Sequence, residues 1–63
     1  MDAKIVLQLH CLGARRPGMT VEDREALKRL IRNAAHLSEA GELRTEFERL
    51  TRKYGCESLT PRS

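Results

Sequence analysis

Four side chains in this sequence carry ligand or acid–base chemistry near neutral pH: His10, Cys11, His36 and Cys56. A structural zinc site needs ligands in close pairs, two to four residues apart, and an adjacent His10–Cys11 with two isolated partners lacks that spacing. No metal and no other cofactor is therefore expected. The two histidines are the available near-neutral bases, and no motif sets a nucleophile or an orienting group beside either of them. The sequence also lacks a phosphate-cradling glycine loop. No catalytic residue is assigned. A chain of 63 residues folded into two or three short helices is in any case a poor enclosure for a reaction. Cys11 reads as a small apolar residue on a buried face, and His36, beside Leu37, as a polar residue at a helix end. Without a secretory context the cysteines read as free thiols, with a disulfide as the alternative.

The second chemistry to weigh is phosphate binding. The formal net charge is +3 and the pI about 9.3, but the charge is spread unhelpfully for a nucleic-acid reader. From Thr20 to Tyr54 eight basic residues face seven acidic ones, leaving +1. The start of the last helical segment carries Glu39, Glu42, Glu46 and Glu48, all repelled by a phosphate backbone. The basic residues left to touch phosphate are Arg15 and Arg16 in the loop, with Arg52, Lys53 and Arg62 near the C-terminus. Phe47 and Tyr54 are the only aromatic residues, too few for stacking single strands. The preference for arginine over lysine fits a GC-rich bacterial or phage genome.

The elements that must position these residues follow from apolar periodicity. A helix is predicted over 20–37, with Thr20 as N-cap, Asp23 three residues on, and Leu27, Leu30, Ile31, Ala34 and Leu37 as its core face. A second is predicted over 39–54, with Ser38 as N-cap, the stripe Leu43, Phe47, Leu50, Tyr54 as its core face, and Gly55 just past its end. The phase of the apolar stripe breaks between Leu37 and Leu43. An antiparallel helical hairpin joined around Leu37 to Gly41 accounts for the break, and one continuous bent helix is the alternative. Residues 2–12 read best as a third helix, started by Asp2 and stopped by Gly13, with Ile5, Val6, Leu9 and Leu12 on one face. Their alternation also permits a strand, with Ile5, Leu7, Leu9 and Cys11 inward and Lys4, Gln8 and His10 outward. Such a strand needs its own copy as partner, in an intermolecular β-ribbon. Residues 56–63 are expected to fray. The fold class is thus all-α, a single small domain over 1–63.

Strand, helix, helix with Lys4, Gln8 and His10 on the ribbon resembles the architecture of the ribbon-helix-helix repressors, and that alternative implies a dimeric DNA-binding regulator. The loop from Gly13 to Met19 departs from that family, in which the first helix follows its strand almost at once. The primary expectation is different: a small non-enzymatic regulator or adaptor of bacterial or phage type, a homodimer, acting by protein–protein contact. Its contact surface is assigned to Ile5, Val6, Leu7, Leu9, Leu12 and Met19, apolar residues beyond what one hairpin covers, with Arg15 and Arg16 as polar anchors. A structural subunit of a larger assembly is the third expectation. No stretch approaches the eighteen or so apolar residues of a membrane span, and the N-terminus lacks a signal peptide's basic region and cleavage site, so a cytoplasmic location is expected.

Overall fold

The computed structural model describes residues 2–58. Three α-helices follow one another: α1 at Ala3–Ala14, α2 at Val21–Arg32 and α3 at Glu42–Lys53, with 3-10 turns at Arg16–Gly18 and Ala34–His36. There is no strand among the described residues. The helix predicted over 2–12 is therefore present and the β-ribbon is not. Asp2 caps α1 by accepting the Lys4 amide at 2.9 Å. Ile5, Gln8 and Leu12 then recur at i, i+3 and i+7 on its buried face. Ile5 and Val6 alone favour extended chain, while Ala3, Leu7, Leu9 and Leu12 are good helix formers, and the rest of the described chain supplies no strand to pair with. The helix runs two residues past its predicted end at residue 12: Gly13 lies inside it, and Pro17 in the following 3-10 turn ends the run.

Thr20 caps α2 as expected, its hydroxyl accepting the Asp23 amide at 3.1 Å. The helix ends earlier than the predicted 37. Asn33 adopts φ −114°, ψ 28° and its side-chain amide donates to the Arg29 carbonyl at 2.9 Å, giving the last turn a partner that helix continuation would displace. The chain carries on as a 3-10 turn that still delivers Leu37 to the core, fully buried. Ser38 is not the cap of α3. Gly41 holds that place at φ 150°, a conformation glycine adopts readily, and its carbonyl accepts from both the amide and the hydroxyl of Thr45. At the far end Gly55 takes φ 71° and the Cys56 amide reaches back to the Thr51 carbonyl at 2.7 Å, the closing bond of a Schellman turn.

α2 and α3 form the expected hairpin and α1 packs on both. The core joins Ile5, Leu12, Met19, Leu27, Leu30, Leu37, Phe47, Leu50 and Cys56, with Leu9, Cys11, Ala26, Leu43 and Tyr54 against its edge. Two expectations change here. Ile31 is 47% exposed, because Leu27, Leu30 and Asp23 already fill the inward arc of α2 and the next residue turns about 100° away from it. Ala34 is only half-buried, in the turn rather than on a helix face.

Cys11 and Cys56 are joined in a disulfide, their Cα atoms 5.9 Å apart. The free-thiol reading is corrected by geometry that spacing alone does not reveal. The last turn of α1 and the Schellman turn after α3 lie side by side, tied also by Arg15 to the Tyr54 carbonyl and by Gln8 to the Glu57 carbonyl. Position 56 is thus part of the core and not of a frayed tail; residues 59–63 of that predicted tail lie outside the described residues.

Candidate partner-binding site

Two clusters stand out on this scaffold, one polar and closed, one apolar and open. The polar cluster is centred on Asp23, whose side chain keeps 5% of its surface although it sits in the first turn of α2. One carboxylate oxygen accepts from Arg49 at 3.0 Å; the other accepts from Lys53 at 2.7 Å and from the Tyr54 hydroxyl at 2.5 Å. Arg49 is in turn clamped by Glu46 at 2.7 Å. The hydrogen bonds from Lys53, then Tyr54, then Arg49 outweigh burial and hold the Asp23 carboxyl well below the usual carboxylate range. The Asp23 carboxylate pushes Lys53 and the Tyr54 phenol upward, Glu46 and then Asp23 raise Arg49, and Arg49 in turn lowers Glu46. Both Asp23 oxygens are spoken for by residues of α3 and its cap. The chemistry of the cluster is that of a clamp between the start of α2 and the end of α3.

That clamp has a measurable signature. Asp23→Asn should cost about 1.5 to 3 kcal/mol, the range for hydrogen bonds to a charged group. The loss is held to that range because Arg49 and Lys53, about half exposed, regain water when the charge is removed. Because the folded carboxyl titrates far below the unfolded value of about 3.9, Asp23 stabilises the fold fully above about pH 5 and loses that contribution as the pH falls through 4 and below. Thermal melts between pH 2 and 7 should show a steep acid decline in the parent and a shallower one in Asp23→Asn. Parallel curves would sink the assignment.

The chemistry-bearing residues of the sequence do not converge. The two thiols are bonded to each other, His36 lies 3.6 Å from Glu39 on the surface, and His10 stands exposed on α1. Among the described residues no three His, Cys, Asp or Glu side chains are gathered as a metal would require.

The residues assigned to partner contact divide. Ile5, Leu12 and Met19 are 3%, 0% and 5% exposed and belong to the chain's own core. Leu9 is half-buried, Leu7 exposed, and Arg15 exposed but bonded to the Tyr54 carbonyl. Arg16 alone of the two anchors sits at an open recess. That recess is a shallow groove of about 430 Å³ between α1 and the end of α2. Val6, Leu9 and Gly13 of α1 form one wall, Ile31 and Ala34 the other, and His10 and Arg16 stand at its rim. The sequence reading missed Ile31 and Ala34 as surface, having placed both in the core. It missed the part of Gly13 too. The available signal was the composition of α1, which in twelve residues carries Lys4 as its only Lys, Arg, Asp or Glu. A helix with so few charges is covered on more sides than one hairpin can cover.

Protein-family models, curated proteins and solved structures, compared with this chain, show no match to it.

Proposed function

We propose that this chain is a small non-enzymatic regulator or adaptor that works by holding an apolar segment of another protein in the groove between α1 and α2. One observation carries the reading: of the four large apolar side chains left exposed among the described residues after the core closes, Val6, Leu7, Val21 and Ile31, two from different helices, Val6 at 36% and Ile31 at 47%, line the same groove. Scattered surface leucines need no explanation, but apolar side chains lining opposite walls of a groove mark a contact surface. The floor is apolar and a single cationic side chain stands at the rim, the arrangement of an apolar anchor with a polar border.

A homodimer draws less support from the fold than from composition, because three of its assigned contact residues are internal. The four exposed large apolar side chains, of which Val21 stands apart from the groove, fall well short of the roughly 800 Å² per partner of a stable interface. The chain is accordingly expected to sediment as a 7.2 kDa monomer at tens of micromolar, leaving the groove free. No described helix is long and apolar enough to cross a membrane. The Cys11–Cys56 bond favours an oxidising compartment over the cytoplasmic setting expected from sequence.

Panning a random peptide library against the folded, oxidised protein tests the reading. Selected peptides should carry apolar residues at helical spacing and should lose binding, at least tenfold, to Val6→Glu and to Ile31→Glu. Both positions are exposed, so neither change should disturb the fold, which circular dichroism checks. Peptides that bind both variants as well as the parent would overturn the groove as the site.

A further inference from the structure

Resting on the groove reading, the chemistry of its borders points further. We infer that the segment held there is an amphipathic helix whose apolar stripe is flanked by acidic residues. No carboxylate lines the groove. Arg16 at its rim makes no ion pair and no side-chain hydrogen bond among the described residues. Along α2, Arg24 and Lys28 precede Ile31 by seven and three residues and so share its exposed face, and Arg32 adjoins them. Arg24, Lys28 and Arg32 stand at i, i+4 and i+8, a row of like charges that is repulsive in the isolated helix. Of the three, Lys28 alone has a carboxylate within reach, Glu25 at 3.1 Å on its own helix, among the described residues. A wall built as apolar residue beside a cationic row is complementary to apolar residue beside an anionic row.

The shape argues for a helix in particular. The groove lies between two helical segments, and each of its walls includes a small residue, Gly13 on one and Ala34 on the other, where bulk would keep a third backbone away. A Cβ at Gly13 would meet nothing within 4 Å, and its φ is not positive, so neither the chain's packing nor its backbone asks for glycine there. Glycine inside a helix is unfavourable against alanine, and what it provides at this place is close approach from outside. A nucleic acid would leave Val6, Leu9 and Ile31 against phosphate and sugar with no apolar partner. A second copy docked symmetrically would bring Arg16 and the α2 row against themselves, and the described residues hold no exposed apolar stripe with acidic borders for a head-to-tail contact, since the buried apolar residues of α3 point inward.

Three fluorescein-labelled 16-residue helical peptides provide the test: one with leucines at i, i+3, i+4 and i+7 bordered by glutamates, the same with lysines for glutamates, and the first with alanines for leucines. Fluorescence anisotropy should show the Leu/Glu peptide binding at least tenfold tighter than either of the others, weakening about tenfold between 50 and 500 mM salt. The double change Arg16→Glu with Arg24→Glu, both exposed, should reverse the preference toward the Leu/Lys peptide. Equal binding of the Leu/Glu and Leu/Lys peptides, lost in Ile31→Glu, would overturn the acidic partner and leave the groove reading standing. Failure of both leucine peptides to bind, or binding indifferent to Ile31→Glu, would overturn the two together. A 20-base-pair duplex that binds more tightly than the Leu/Glu peptide and is lost in the double arginine variant would overturn the inference in favour of nucleic acid. Sedimentation as a dimer that Ile31→Glu dissociates would overturn it in favour of a second copy.

Discussion

Replacing Phe47 with alanine should lower the unfolding free energy by about 3 to 5 kcal/mol, the usual range for a fully buried aromatic residue. Phe47 is 1% exposed, is the largest of the fully buried side chains, and sits on α3 between Leu43 and Leu50, so its ring fills the space between the two arms of the hairpin. Arg44 covers it from outside, with the guanidinium carbon 5.8 Å from the ring centroid and one of its nitrogens donating to the Leu37 carbonyl. Truncation therefore opens a cavity and also removes the surface on which Arg44 rests. A domain of this length has a total stability of roughly 3 to 9 kcal/mol, so the variant should be largely unfolded or melt tens of degrees lower. Ile31→Ala is the control. Periodicity alone would assign both residues to one core, yet the exposed Ile31 should cost less than about 1 kcal/mol. Paired melts followed by circular dichroism separate the two positions. Equal losses would mean that the groove side of α2 is covered in solution.

The contrast between these two residues shows where sequence reasoning reaches in this chain. Signals that act within one helix were readable: the Asp2 and Thr20 caps, Gly55 beyond α3, and the stripe from Leu43 to Tyr54. Each depends on neighbours no more than a few residues away. The joint between α2 and α3 was legible as a joint but not in its details. Asn33 and Gly41 outcompete Leu37 and Ser38 as the limits by a side-chain bond and a backbone angle that type and spacing do not distinguish. Asp23 is the sharpest case. In sequence it is an ordinary acidic residue of a first helical turn, favoured there by the helix dipole. Its burial exists only because Arg49, Lys53 and Tyr54 arrive 26 to 31 residues later. The site divided the same way. Apolar excess in residues 5–19 was visible, but which part of it seals the core and which part lines the groove depends on how α1 rolls onto the hairpin. That roll turns Ile5 and Leu12 inward and leaves Val6 and Leu7 out.

The disulfide fixes that roll, and removing it should have an effect as large as that of Phe47. Cys11 and Cys56 close a loop across 45 positions, tying the end of α1 to the turn after α3. By the chain-entropy argument a closed loop of that length stabilises the native state by about 4 kcal/mol, chiefly by restricting the unfolded chain. For a domain of this size each kcal/mol corresponds to roughly 4 to 8 °C, so reduction, or Cys11→Ser with Cys56→Ser, should lower Tm by about 15 to 30 °C. The loss should exceed the entropy term if anything, since Cys56 is fully buried and a serine hydroxyl there would have to find a partner in an apolar setting. Cys56→Ala with Cys11→Ala separates the two contributions, because it removes the crosslink without burying a hydroxyl. Among the described residues the remaining polar ties across the same seam are two long hydrogen bonds, Arg15 to Tyr54 at 3.3 Å and Gln8 to Glu57 at 3.4 Å, too weak to hold α1 by themselves. Loosening should accordingly begin at α1, with amide exchange rising first over residues 3–14 while α2 and α3 remain protected by the Asp23 clamp. The groove takes one wall from α1, so peptide capture should fall on reduction before the hairpin melts. A reduced protein that keeps both its Tm and its amide protection along α1 would show that packing alone seats this helix.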